Sequence, residues 1–189
     1  MEIENVLTIK SRQDLRDWLE VHSATEKCCW VIISKTEGSD VVQYLDIVEE
    51  ALCFGWIDGI KKKITDTEVA QRLSPRKKKS NWTELNKERV RRLDTLGLMT
   101  AAGLKVLPDM RLESFKIDEE IETRLKEDDQ LYQNFIHFPE LYRRIRIDNI
   151  QNYKNDLDLY NRRLDKFIEN TRKNKLYGQW HDYGRLIDY

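Results

Sequence analysis

"WIDGIKKKITDTEVAQRLSPR", residues 56–76, is the stretch on which the fold turns. Two strand-like runs flank TDTE, a cluster of turn-forming residues, so the segment reads as a β-hairpin. Alternation places Trp56 and Asp58 on one face of the first strand, and Arg72, Ser74 and, if the strand continues, Arg76 on one face of the second. A symmetric hairpin centred near Thr65 sets Asp58 opposite Arg72, where the carboxylate stays ionised and fixes the guanidinium plane. A one-residue slip in register removes that pairing.

Upstream, "NVLTIK" (5–10) reads as a short strand and "SRQDLRDWLEVHS" (11–23) as a helix capped by Ser11, with Leu15, Trp18 and Leu19 inward. "KCCWVIISK" (27–35) is an apolar, β-branched run of strand length. "YLDIVEEALCFG" (44–55) has Tyr44, Ile47, Val48, Ala51 and Leu52 at helical spacing and ends at Gly55. The chain thus opens β-α-β-α and then turns into the hairpin.

Downstream, Ser80 is positioned to cap the helix "NWTELNKERVRRLDTLG" (81–97), stopped by Gly97, and "MTAAGLKVLPDM" (99–110) is a second short helix or turn ending near Pro108. Strand signals then cease. Helices are expected over roughly 118–126, 129–136, 140–153 and 156–173, with Pro139 in the first turn of the third. The tail "NKLYGQWHDYGRLIDY" (174–189) is too aromatic for a disordered end, because Leu176, Tyr177, Trp180, Tyr183 and Leu186 gain by burial. These elements predict an α+β protein: an N-terminal mixed α/β domain with a small sheet and hairpin over residues 1–112, then a helical C-terminal part over 113–189.

Composition bounds the chemistry. The chain has 189 residues, 40% hydrophobic and 35% charged, with a net charge of −1, enough to bury a core in an ordinary globular protein. No run of 18 apolar residues occurs and the opening "MEIENVLTIKSRQDL" lacks a signal-peptide pattern, so neither membrane insertion nor secretion is expected. Three cysteines, Cys28, Cys29 and Cys53, form no framework spacing and suit a reducing cytoplasm as buried or inert thiols. His22, His137 and His181 are scattered, and no metal site, cofactor fingerprint, P-loop or Gly-x-Ser-x-Gly elbow is legible.

The small net charge hides a division. Residues 60–92 hold twelve Lys and Arg against four Asp and Glu, a balance of +8, and the rest of the chain balances at −9. A local positive field of that size favours phosphates, acidic partners or nucleic acid. At the strand-to-helix junction "SPRKKKS", free amides and the helix dipole favour an anion, with Arg76 as its contact and Lys77, Lys78 and Lys79 in support. In the helix that follows, Trp82, Leu85, Val90, Leu93 and Leu96 fall in an arc of about 140°, together with Asn86 and Arg89, whereas Lys87 and Arg91 point to solvent. The alternatives are an ordinary ion pair for Asp58 and Arg72, bonding to local backbone carbonyls or a carboxylate for Asn86 and Arg89, and a solvated loop for the lysines.

Three stretches, "EEALCFGWIDG" (49–59), "QRLSPRKKKSNWTELN" (71–86) and "LDTLGLMTAAG" (93–103), resemble in order the signatures of the YdeI/OmpD-associated, or bacteriocin-protection, family. The resemblance covers roughly residues 30–110, and the helical remainder is similar to the family's C-terminal extension more loosely. It implies an α+β domain followed by helices, and it brings no catalytic residues. Trp56, Asp58, Arg72, Pro75, Arg76, Ser80, Trp82 and Asn86 are candidates by motif membership.

Three functions compete at this point. The first is a non-catalytic binding or stress-protection protein that holds a small anion or acidic partner, with Trp56, Asp58, Arg72, Arg76, Ser80, Trp82, Asn86 and Arg89 forming a cleft between hairpin and helix. The second is weak, sequence-tolerant nucleic-acid binding, with Trp56 and Trp82 stacking bases. The third is a hydrolase or transferase built on Asp58 and Arg72.

Overall fold

The computed structural model describes residues 3–34, 42–78 and 80–189, so Lys35, at the end of the second strand-like run, and Lys79 lie outside the described residues. The chain forms two compact units, one of Met1–Asn81 with Arg89–Pro108 and the other of Trp82–Glu88 with Asp109–Tyr189. It is α+β, as the sequence predicts.

The first unit begins with β1 (Val6–Leu7), α1 (Arg12–His22), β2 (Cys29–Ser34) and α2 (Tyr44–Cys53), followed by the hairpin β3 (Trp56–Lys63) and β4 (Glu68–Pro75). Strand order is β1-β2-β4-β3, with β1 parallel to β2 and the other pairs antiparallel. Ser11 caps α1 in a reciprocal capping box, its side chain accepting from the Asp14 amide while Asp14 accepts from the Ser11 amide. The core gathers Leu15, Leu19, Val31, Ile47, Leu52 and Leu73, all at or near zero exposure.

Beyond β4 come α3 (Glu84–Thr95) and the short α4 (Ala101–Lys105), and the division between the units falls within α3, after Glu88. Gly97, at φ 69°, ends α3 in a Schellman turn, with the Leu98 amide donating to the Leu93 carbonyl. Ser80 is not the cap that the sequence suggests. α3 starts at Glu84, and Thr83 takes the capping place, its hydroxyl accepting from the Asn86 amide at 3.2 Å. A second capping-type residue three positions on, directly before the first helical turn, displaced the first.

The second unit is helical: α5 (Glu119–Lys126), α6 (Asp129–His137), α7 (Glu140–Gln151) and α8 (Leu157–Arg172). Its core joins Ile121, Leu131, Tyr142, Ile147, Leu164 and Phe167. Pro139 stands at the N-cap of α7, one place before the first turn. The aromatic tail packs within its own unit, with Trp180 edge-on to Tyr142 at 5.6 Å and Tyr177 edge-on to it at 6.3 Å. Leu186 is buried, but Tyr183 is 74% exposed at φ 55°, so the aromatic composition overstates the burial of that ring.

Candidate functional site

The hairpin register decides which side chains meet. Asp58 lies opposite Leu73, and Arg72 lies opposite Trp30 on β2, so the expected pairing of Asp58 with Arg72 does not form. The turn centres on Asp66 and not Thr65, which shifts the register by two residues, and a bulge in which Gly59 and Ile60 together oppose Arg72 takes back one of them. Gln71, fully buried, stabilises the irregularity by donating to the Gly59 carbonyl at 2.9 Å. A hydrolase or transferase built on Asp58 with Arg72 loses its constellation with that register.

The bulge has a second effect. Asp58 and Lys61 are three apart, and a regular strand would turn them to opposite faces. With one extra residue between them, Lys61 opposite Gln71 shares the face of Asp58 opposite Leu73. On that face α2 presents Tyr44, whose hydroxyl donates to Asp58 Oδ2 at 2.7 Å while the Lys61 ammonium sits 3.8 Å from the ring centroid. Arg76 completes the cluster. Its amide donates to the Gly55 carbonyl at 2.9 Å and its guanidinium donates to the Asn81 carbonyl at 3.1 Å. Burial pulls the Arg76 guanidinium down to about 10, and the Asp58 carboxylate opposes that pull.

Other candidates stand elsewhere than the sequence suggests. Trp56 is 1% exposed, edge-on to Trp18 at 6.1 Å with its indole N–H donating to the Ser23 carbonyl, so it supports the core and offers no face for a base. Arg76 is 8% exposed and part of the interior, contrary to an outward ligand contact. Arg89 is equally buried, and Ser80 is half-buried with its amide donating to the Lys77 carbonyl. Trp82 and Asn86 belong to the second unit, whereas the cluster is confined to the first.

The helix start is not an open anion site. In the second unit, Asp148 Oδ2 already accepts the Glu84 amide at 3.0 Å. Burial raises the Asp148 carboxyl above its ordinary value, with the amide bond opposing. Lys87, expected in solvent, pairs with buried Glu84 at 2.8 Å. Arg144 of α7 bridges Glu84 at 3.2 Å and Glu88 at 3.1 Å, and the Tyr189 hydroxyl donates to Glu88 at 2.9 Å.

Sequence reasoning also missed a buried ion network in the first unit. Glu49 and Glu50, essentially unexposed on α2, receive Arg12 and Arg16 from α1 and Arg92 from α3. The signal was present in the i,i+4 spacing of Arg12 and Arg16, which places both on one side of α1. Asp46 stands 3.7 Å from Arg12, so three carboxylates face three guanidiniums, and Arg12 Nη2 is the buried nitrogen left without a hydrogen bond to any described residue.

Several motif residues have structural work. Gly55, at φ 73°, turns the chain from α2 into β3, Gly59 sits in the bulge, and Gly103 lies where any Cβ would meet the Cys53 carbonyl. Asp58 and Lys61, flanked by Tyr44 and Arg76, are the group left with charge turned toward one place. The fold and cluster define a small α+β protein with a polar side-chain cluster on its edge strand β3.

Residues 7–106, more than half of the chain, match the model of a domain of unknown function, DUF8412, and the chain belongs to that family. Residues 114–174 match the model described as bacteriocin-protection, YdeI or OmpD-associated. The resemblance stated from residues 30–110 is thus matched by a model in the helical segment, and the motif-bearing part matches a different one. Neither curated proteins nor solved structures gave a match. No described helix is long and apolar enough to cross a membrane.

Proposed function

We propose that the chain is a non-catalytic binding protein of the YdeI/OmpD-associated type that takes a small anion or an acidic partner at the Tyr44, Asp58 and Lys61 cluster, with buried Arg76 behind it. The observation that carries the reading is the bulge at Gly59–Ile60, which puts Lys61 on the face of Asp58. The exposed Lys61 ammonium supplies positive charge beside Asp58, and the exposed Lys77 and Lys78 add to it in sequence. Asp58 is occupied by Tyr44 and opposes the burial of Arg76, which suits it to orienting the cations. Three free thiols and no disulfide among the described residues support a reducing, cytoplasmic setting. Any protection of the kind named in the family description would then act through binding.

The test uses Lys61 because it is exposed, whereas a change at buried Arg76 would confound binding with stability. Calorimetric titration with inorganic phosphate and with hexaglutamate compares wild type, Lys61→Gln and the distant control Lys10→Gln. Lys61→Gln is expected to weaken binding about fivefold, the effect of about 1 kcal/mol for one exposed charge contact. Equal weakening by both variants, or no binding by wild type, would sink the reading.

A further inference from the structure

The second unit contains a cleft of about 490 Å³, part of it open to solvent, that the proposed function does not use. Leu112, Phe115, Ile117, Phe135 and Ile147 form its apolar walls, and Glu140, Arg143 and Arg144 form its polar end. The two adjacent arginines differ in their surroundings. Arg144 is 7% exposed and is neutralised by Glu84 and Glu88, with Glu140 at 3.6 Å from its Nε.

Arg143 has no carboxylate within 4 Å among the described residues. Its guanidinium carbon lies 5.4 Å from the Phe135 ring centroid, and its shielded Nε makes no hydrogen bond to any described residue. A cation held against an aromatic wall beside an apolar cavity, without its own counter-ion, is complementary to an anion that carries an apolar body. Glu140 lies at the same end and is drawn toward Arg144. Its charge disfavours a dianion, so the head group is a single carboxylate.

We propose that this cleft binds a small monocarboxylate with an aromatic or branched aliphatic body, the carboxylate on Arg143 and the body between Leu112, Phe115 and Ile117. Leu112, 40% exposed, stands at the mouth, so the body can enter without unfolding the core.

The experiment titrates the full chain with 3-phenylpropanoate and with the neutral 3-phenylpropanamide, followed by nitrogen-15 chemical shifts. Wild type is expected to bind the acid about tenfold more tightly than the amide, as one charge-assisted contact provides. Arg143→Gln should erase that preference and leave amide binding unchanged, while Arg143→Lys keeps part of it. Lys61→Gln should bind the acid as wild type does, which separates this site from the anion cluster of the first unit. Acid and amide bound alike by wild type, no saturable binding of the acid, a tenfold preference surviving in Arg143→Gln, or acid binding lost in Lys61→Gln would each overturn the proposal. If Arg143→Gln does not fold, the acid-to-amide ratio in wild type and in Arg143→Lys decides.

Discussion

Gly103→Ala gives a sharp test of how the first unit is assembled. The helix α4 rests against the end of α2 so closely that an alanine Cβ at 103 would lie 2.1 Å from the Cys53 carbonyl oxygen and 2.8 Å from its carbon. The same oxygen accepts the Thr100 amide at 3.1 Å and the Thr100 hydroxyl at 2.7 Å. Restoring ordinary contact distance requires α4 to retreat by about 1 Å, which strains or breaks both bonds. Overpacking of about 1–3 kcal/mol and two hydrogen bonds of about 1 kcal/mol each oppose a helix-propensity gain of about 1 kcal/mol. The net expectation is a loss of about 2–4 kcal/mol. Gly97→Ala is the comparison, because nothing lies within 4 Å of its Cβ and only the left-handed φ of 69° is strained, worth about 1–2 kcal/mol. Urea unfolding followed by tryptophan fluorescence reads the difference, since Trp18, Trp30 and Trp56 of the five tryptophans lie in this unit. A Gly103→Ala protein as stable as wild type, or more stable than Gly97→Ala, would refute the close seating of α4 on Cys53.

Further expectations concern the second unit and the thiols. Gly178→Ala, at φ 73° with a Cβ 2.2 Å from the Arg146 guanidinium, should disturb the Arg146 contact with Tyr177 and expose Trp180 to an added quencher. Asp148 has a raised folded value, so its contribution to stability is full below the ordinary aspartate range and is lost as pH rises through the folded value. Asp148→Asn keeps an acceptor for the Glu84 amide without the buried charge, and its urea midpoint should exceed that of wild type at pH 7 and converge with it in acid. Cys29 and Cys53 are pushed up to about 12, chiefly by burial, so a thiol reagent should modify half-buried Cys28 alone in the native state and all three after denaturation.

Much of the fold was legible because local signals agreed with one another. Ser11 with Asp14, Gly55 and Gly97 each mark an end by backbone chemistry that needs no tertiary information. The site was less legible. Alternation identifies faces only while a strand is regular, and the bulge at Gly59–Ile60 changed the partners of Asp58 from Arg72 to Tyr44. Helical phase assigned Lys87 to solvent, yet Glu84 holds it. The arginine–glutamate networks escaped notice because their members come from helices distant in sequence, as Arg12, Glu49 and Arg92 do.

Lys61, turned toward Asp58 by the bulge, is the proposed anion contact. Titrating inorganic phosphate into nitrogen-15-labelled protein at low ionic strength, with and without Lys61→Gln, reads this directly. Saturable shifts are expected at the amides of residues 58–61 and of Tyr44, with a higher phosphate concentration required in the variant. Shifts confined to other lysines, or an unchanged pattern in Lys61→Gln, would contradict it.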